Sequence, residues 1–157
     1  MEAPTRWLDA DEQRAWLKLA GVMLRLIPAL DSQLQRDSDM THFEYLCLAM
    51  LSETEERTLR MSELAARTSA SLSRLSHVVK KLEARGWVER FPCPDSGRVT
   101  MARLTEPGWQ ALVAAAPGHV EAVRCLVFDG LTPAEVAGIE RLAGHVVARI
   151  DELGPRS

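Results

Sequence analysis

The chain has 157 residues, 46% hydrophobic and 26% charged, which is the balance of a folded globular domain and excludes a disordered tail. It is long enough to bury about two thirds of its unfolded surface without a disulfide or metal staple. Three widely spaced cysteines, Cys47, Cys93 and Cys125, exclude a paired disulfide framework and close zinc-ligand pairs, and they fit a reducing cytoplasm. The net charge of −3 conceals a segregation: between Arg60 and Arg103 nine basic residues stand against four acidic ones, a local +5, and the rest of the chain carries −8. Halves of opposite sign suggest a basic reading surface on an acidic scaffold.

In chain order, the opening stretch to Arg6 has no cationic start leading into an apolar core, so no signal peptide is expected. Asp9-x-x-Glu12 is a helix-start pattern. Behind it Trp16, Leu19, Ala20, Met23, Leu26, Ile27 and Leu30 recur at spacings of three and four, one apolar stripe on a helix from Asp9 to Arg36, bent at Pro28. Thr41-x-x-Glu44 opens a second, short apolar helix. Ser62 is placed to cap a third, Glu63 to Thr68, and Ser71 a fourth that ends at Arg85 with Gly86 as terminator. Two extended runs, Trp87 to Phe91 and Arg98 to Leu104, flank a Pro/Asp/Ser/Gly cluster and predict a β-hairpin. Thr105 caps a fifth helix, kinked or split near Pro117-Gly118 and reaching Phe128. Thr132-Pro133 opens a last one that ends near Leu153-Gly154. No stretch approaches the roughly 20 apolar residues of a membrane span, so no membrane partner is expected. The predicted order is α-α-α-α-β-β-α-α.

On a helical wheel of the fourth helix, Leu72, Leu75, Val78, Val79 and Leu82 fall on one arc and are expected in a core. Ser73, His77, Lys80 and Ala84 fall opposite, flanked by Arg74, Ser76 and Lys81. That face is small, hydroxylic or basic, with no acid before Glu83. Such a helix fits the major groove of DNA, and short serines near its amino end allow close approach of a phosphate. A short helix, a three-residue connection and a basic second helix form a helix-turn-helix, and the hairpin with Arg98 just past its tip forms a wing.

Four strings carry a resemblance across nearly the whole chain: Met61-Ser-Glu-Leu-Ala65, Leu75-Ser-His-Val-Val-Lys-Lys-Leu-Glu83, Arg85-Gly-Trp-Val-Glu-Arg90 and Leu104-Thr-Glu-Pro-Gly108. In this order and spacing the sequence resembles the multiple antibiotic resistance regulator (MarR) family of winged-helix transcription factors. The resemblance implies a single domain over residues 1–157, mainly helical with a small β-hairpin wing. Residues 9–36 and 106–153 would supply dimerisation helices, and 41–104 the winged helix-turn-helix lobe. It implies a homodimeric repressor or activator, more in keeping with a repressor, on a palindromic operator in double-stranded DNA. Ser71, Ser73, Arg74, Ser76, His77, Lys80, Lys81, Asp95 and Arg98 would form the DNA-binding set. Family wings carry an Asp-x-Arg pattern; Arg98 stands at its arginine, Ser96 at its aspartate position, and Asp95 one residue earlier. Leu142, Val146, Ile150 and Leu153 of the last helix would lie in the dimer interface. The family's habit of sensing phenolic or aromatic acids makes Trp16, His42, Tyr45 and His119 candidate effector-binding residues.

Redox sensing finds little purchase. Cys47 sits mid-helix among apolar neighbours and reads as a buried small hydrophobe, whereas Cys93 in the wing is expected exposed and oxidisable, without an adjacent resolving partner. Cys125 is expected within the dimerisation helices. No nucleophile elbow, phosphate loop or zinc-protease motif is present, and four scattered histidines show no ligand pair at helical spacing, so no enzyme, metal or cofactor is expected. The competing reading from another class is a winged-helix protein-interaction module that does not read DNA sequence. That reading favours apolar anchors where Ser73, His77 and Lys80 stand.

Overall fold

Asp9 accepts the backbone N–H groups of Asp11 and Glu12 at 2.8 Å, and Glu12 returns a bond to the Asp9 amide, so the first helix starts where its capping box stands. The structure, a computed structural model, describes residues 4–154; the first three residues of the stretch read for a signal lie outside them. Helix α1 runs Ala10–Ser38 with Pro28 inside it, and α2 runs His42–Ser52 behind the Thr41/Glu44 box. Strand β1, Thr58–Arg60, precedes α3, Met61–Arg67, and α4 spans Leu72–Ala84. Strands β2, Val88–Cys93, and β3, Ser96–Leu104, lead into α5, Glu106–Val123, which passes into a π-helical turn at Arg124–Phe128. Helix α6, Pro133–Leu153, has Thr132 as its cap and proline in its first turn.

The architecture is mainly helical with one small antiparallel sheet in the order β1-β3-β2. Strand β1 is an addition to the predicted order; it pairs Leu59 with Ala102. The third helix also begins earlier than expected. Met61 is its first residue and Arg60 its cap, with the Arg60 amide donating to Glu63 at 3.3 Å, so Ser62 lies inside the helix and does not cap it. Pro117 does not split the fifth helix, because the chain stays helical past it.

The chain divides into two units, one up to His119 and one from Val120. The first has a core in which Leu48, Leu51, Leu64, Leu75, Val79 and Leu82 are fully buried, closed by Val88, Ala102 and Leu104 of the sheet and by Leu112. Ser69 takes a left-handed conformation (φ 51°) in the turn between α3 and α4, and Gly86 (φ 73°) ends α4 in the region where glycine has no Cβ penalty. The Thr105 hydroxyl donates to the Gly86 carbonyl at 2.6 Å and accepts the Gly108 amide at 3.2 Å, which ties the end of α4 to the start of α5. In the second unit no residue of α6 is buried.

One expectation fails in its literal form. The run Glu106–Phe128 has 23 residues and a mean hydropathy of 1.4 over its most apolar window, long and apolar enough by composition to cross a membrane. Of this run Gly108, Leu112, Ala115 and His119, all in the first unit, are buried, and most of the rest is not.

Candidate nucleic-acid interface

Helix α4 is held from three sides. Leu75, Val79 and Leu82 anchor it in the core, and Ser71 caps it by accepting the Arg74 amide at 3.3 Å. Its far end is clamped to the wing: the Glu83 carboxylate accepts Arg90 Nε at 2.9 Å, Nη2 at 2.6 Å and the Arg90 backbone amide at 3.1 Å. Both guanidinium bonds go to Oε2 and the amide to Oε1, and such charge-assisted bonds fix geometry as well as adding energy. The opposite face is open. Ser73, Arg74, His77, Lys80 and Lys81 are exposed, whereas Ser76 is half-buried, with its hydroxyl 3.4 Å from Arg90 Nη1. Leu72, placed in the core by its periodicity, is 55% exposed in the first turn of α4. The core arc is therefore narrower than the wheel indicates, because the helix meets the core only from Leu75 onward.

Ion pairing sorts the basic segment into two groups. Arg85 pairs with Asp39 at 2.5 Å, Arg90 with Glu83, and Arg103 with Glu89 at 2.5 Å. Arg60, Arg67, Arg74, Lys80, Lys81 and Arg98 have no carboxylate partner among the described residues. Four of these six belong to α4 and the wing, so the positive potential that the sequence spreads over the segment is concentrated there.

In the wing, β2 and β3 are joined through Pro94-Asp95, with an irregularity at Pro92/Cys93 and Cys93 opposite Ser96. Arg98 and Asp95 are both exposed and form no ion pair with each other among the described residues. Cys93 is 8% exposed, which corrects the expectation of an accessible, oxidisable thiol; the strands extend further toward the tip than the breaker cluster indicates and carry it inward. Cys47 is buried as expected, and burial, with Glu44 adding and Arg74 opposing, pushes its thiol up to about 12.

Three of the four candidate effector residues come together. The Tyr45 and His119 rings lie 4.3 Å apart between centroids, and those of His42 and His119 5.4 Å apart. The histidines that sequence spacing leaves isolated thus meet, because α2 and α5 pack in one unit. Desolvation holds His42 below the ordinary histidine range, partly offset by Asp31, whose carboxylate accepts the His42 amide at 2.9 Å. Burial also lowers His119, with His42 adding to the effect, and burial raises Tyr45. Gln33, which sequence reading does not single out, is buried on α1, donates to Asp37 at 2.9 Å and lies against Gly118, next to His119. Its only signal is a polar residue near the inward stripe of α1. Trp16, expected as packing or lining, is 51% exposed. No group of three or more histidine, cysteine or acidic side chains is disposed to hold a metal among the described residues. In the second unit, Leu142, Val146, Ile150 and Leu153 are all exposed, Leu153 to 72%.

A short helix, a tight turn, an anchored helix with a basic outer face and a hairpin beyond it define a winged helix-turn-helix protein. The MarR family profile matches residues 40–100. The chain is 30% identical over 134 residues to the transcriptional repressor IacR of Pseudomonas putida, covering 83% of this chain and 72% of that protein. Among solved structures it is similar to Sco3205, a MarR family regulator of Streptomyces coelicolor solved in complex with DNA. The TM-score is 0.93, with 41% identity over 98% of this chain and 96% of that one. AbsC of the same organism follows at TM-score 0.83 and 36% identity, over 92% and 99% of the two chains. The chain belongs to the MarR family of transcriptional regulators.

Proposed function

We propose that two copies of this chain bind a palindromic operator in double-stranded DNA, repress transcription from it in the bacterial cytoplasm, and release it on binding a small aromatic or phenolic effector. The observation that carries this reading is the row of hydroxyls and carboxylate-free cations on α4, with Arg98 on the wing, in a protein 41% identical to one solved with DNA. Arg74 and His77 would meet base edges, while Lys80, Lys81 and Arg98 would serve phosphates and groove potential. The exposed Leu72 suits the methyl group of a thymine. As a lone apolar anchor it gives the interaction-module reading little support.

Dimerisation is supported by two uncovered apolar faces, each taken by itself. On α1, Trp16, Leu19, Met23 and Ile27 are exposed, and on α6 the whole stripe from Val136 to Leu153 is exposed. Apolar area on that scale is rare on a monomer. The contact of His42, Tyr45 and His119 supports an aromatic effector there, since ring faces and a histidine N–H suit a planar acid.

Selection of bound duplexes from a random pool tests the proposal. It should enrich a palindrome with half-sites about one helical turn, ~10 bp, apart, as a two-fold pair of reading helices requires. Recovery of a pool with no enriched sequence would contradict the proposal and leave the interaction module in its place.

A further inference from the structure

Four arginines of the first unit stack on aromatic rings: Arg57 over Trp109 at 4.3 Å, Arg74 over Phe43 at 4.3 Å, Arg85 over Trp87 at 4.2 Å and Arg103 over Phe91 at 4.8 Å. Three of them also hold a carboxylate: Glu106 at 3.0 Å, Asp39 at 2.5 Å and Glu89 at 2.5 Å respectively. In those three the ring and the acid together fasten the guanidinium to its own fold. Arg74 differs. Its side chain has a ring but no carboxylate and no hydrogen-bond acceptor among the described residues.

A ring occupies only the face of a guanidinium. The five N–H donors lie in the guanidinium plane and stay available. In the major groove such a fork reads the O6 and N7 acceptors of guanine. An arginine with no partner must surrender rotamer freedom when it binds, whereas one already held by a ring surrenders less. Phe43 is suited to hold it, being half-buried against the core in the first turn of α2, inside the Thr41/Glu44 capping box.

We infer that Phe43 is a positioning residue for base recognition: it holds the Arg74 fork in one orientation and so sets base preference at one symmetric position of each half-site. Phe43 itself touches no base. The inference rests on the proposed reading of DNA by α4, and the experiment separates the two.

Wild-type protein, Phe43→Leu, Phe43→Tyr and Arg74→Ala are each put through duplex selection, and their affinities for matched and single-position-changed operators are measured at one salt concentration. Phe43→Leu should lose about threefold discrimination per half-site, about tenfold for the dimer, at the position where Arg74→Ala also loses it. Its affinity for random DNA and its salt dependence should stay as in the wild type. Phe43→Tyr, which keeps the ring, should retain the preference. If Phe43→Leu does not fold by circular dichroism, Phe43→Met removes the ring with a more adaptable side chain and is judged in the same way. The inference is overturned if Arg74→Ala changes the motif while loss of the ring does not, or if loss of the ring weakens all sequences alike. If Arg74→Ala leaves the selected motif intact, it is the assignment of Arg74 to base reading that fails.

Discussion

Gly108 has no room for a side chain. A Cβ built there would lie 2.1 Å from the Trp87 carbonyl oxygen and 2.8 Å from Leu104 Cδ1. The nearer atom is backbone, on the segment that the Thr105 amide already bonds at 3.0 Å, so it cannot turn aside as a flexible side chain can. The Leu104-Thr-Glu-Pro-Gly108 string thereby acquires a physical reason: it is the place where α5 starts against the segment that follows α4. Gly108→Ala should lower stability by about 2–3 kcal/mol through overpacking, read as a lower urea midpoint at unchanged slope. An unchanged midpoint would mean that the close approach is not present in solution.

The joint between α2 and α5 is built on His42 and His119, and burial lowers the affinity of both for protons. In the unfolded chain they take up protons near pH 6.5. The folded chain takes them up only at lower pH, so the stability due to the neutral pair is complete above about pH 6.5 and declines as pH falls below it. The urea midpoint of the wild type should therefore drop more between pH 7.5 and pH 5.5 than that of a His42→Gln, His119→Gln double variant. Equal drops would contradict the account. This joint was only half legible in the sequence. His42, Tyr45 and His119 stand out singly as polar residues on apolar helices, but their meeting depends on the packing of elements far apart in the chain. The same holds for β1. Three residues are too few for an alternation to register, and its partner β3 follows two helices later. By contrast, the caps at Asp9, Thr41, Ser71 and Thr132 were readable because each rests on hydrogen bonds made within four residues, reciprocal at all but Ser71. Leu72 differs from expectation because a periodicity says which residues share a face and not where the neighbouring element ends, and Cys93 because a Pro/Asp/Ser/Gly cluster marks a turn without fixing how far the strands run into it.

At the scale of the whole molecule, an acidic protein can hold DNA only if its positive face is presented locally and its acids are held off or paired. The structure meets that condition in the first unit, where Glu83 and Glu89 are engaged by Arg90 and Arg103, while Arg74, Lys80, Lys81 and Arg98 keep their charge toward solvent. Presented twice by the proposed dimer, these four would make on the order of six to eight phosphate or groove contacts, each releasing counterions with a slope of about −0.9 in log affinity against log salt. The most direct test is the affinity for the selected operator measured from 50 to 200 mM salt with wild type and Arg98→Ala. Wild-type affinity should fall roughly a thousandfold or more across that range, and Arg98→Ala should make the slope shallower by about one to two units, counting both wings. An affinity that barely responds to salt would contradict the assignment of this face to DNA.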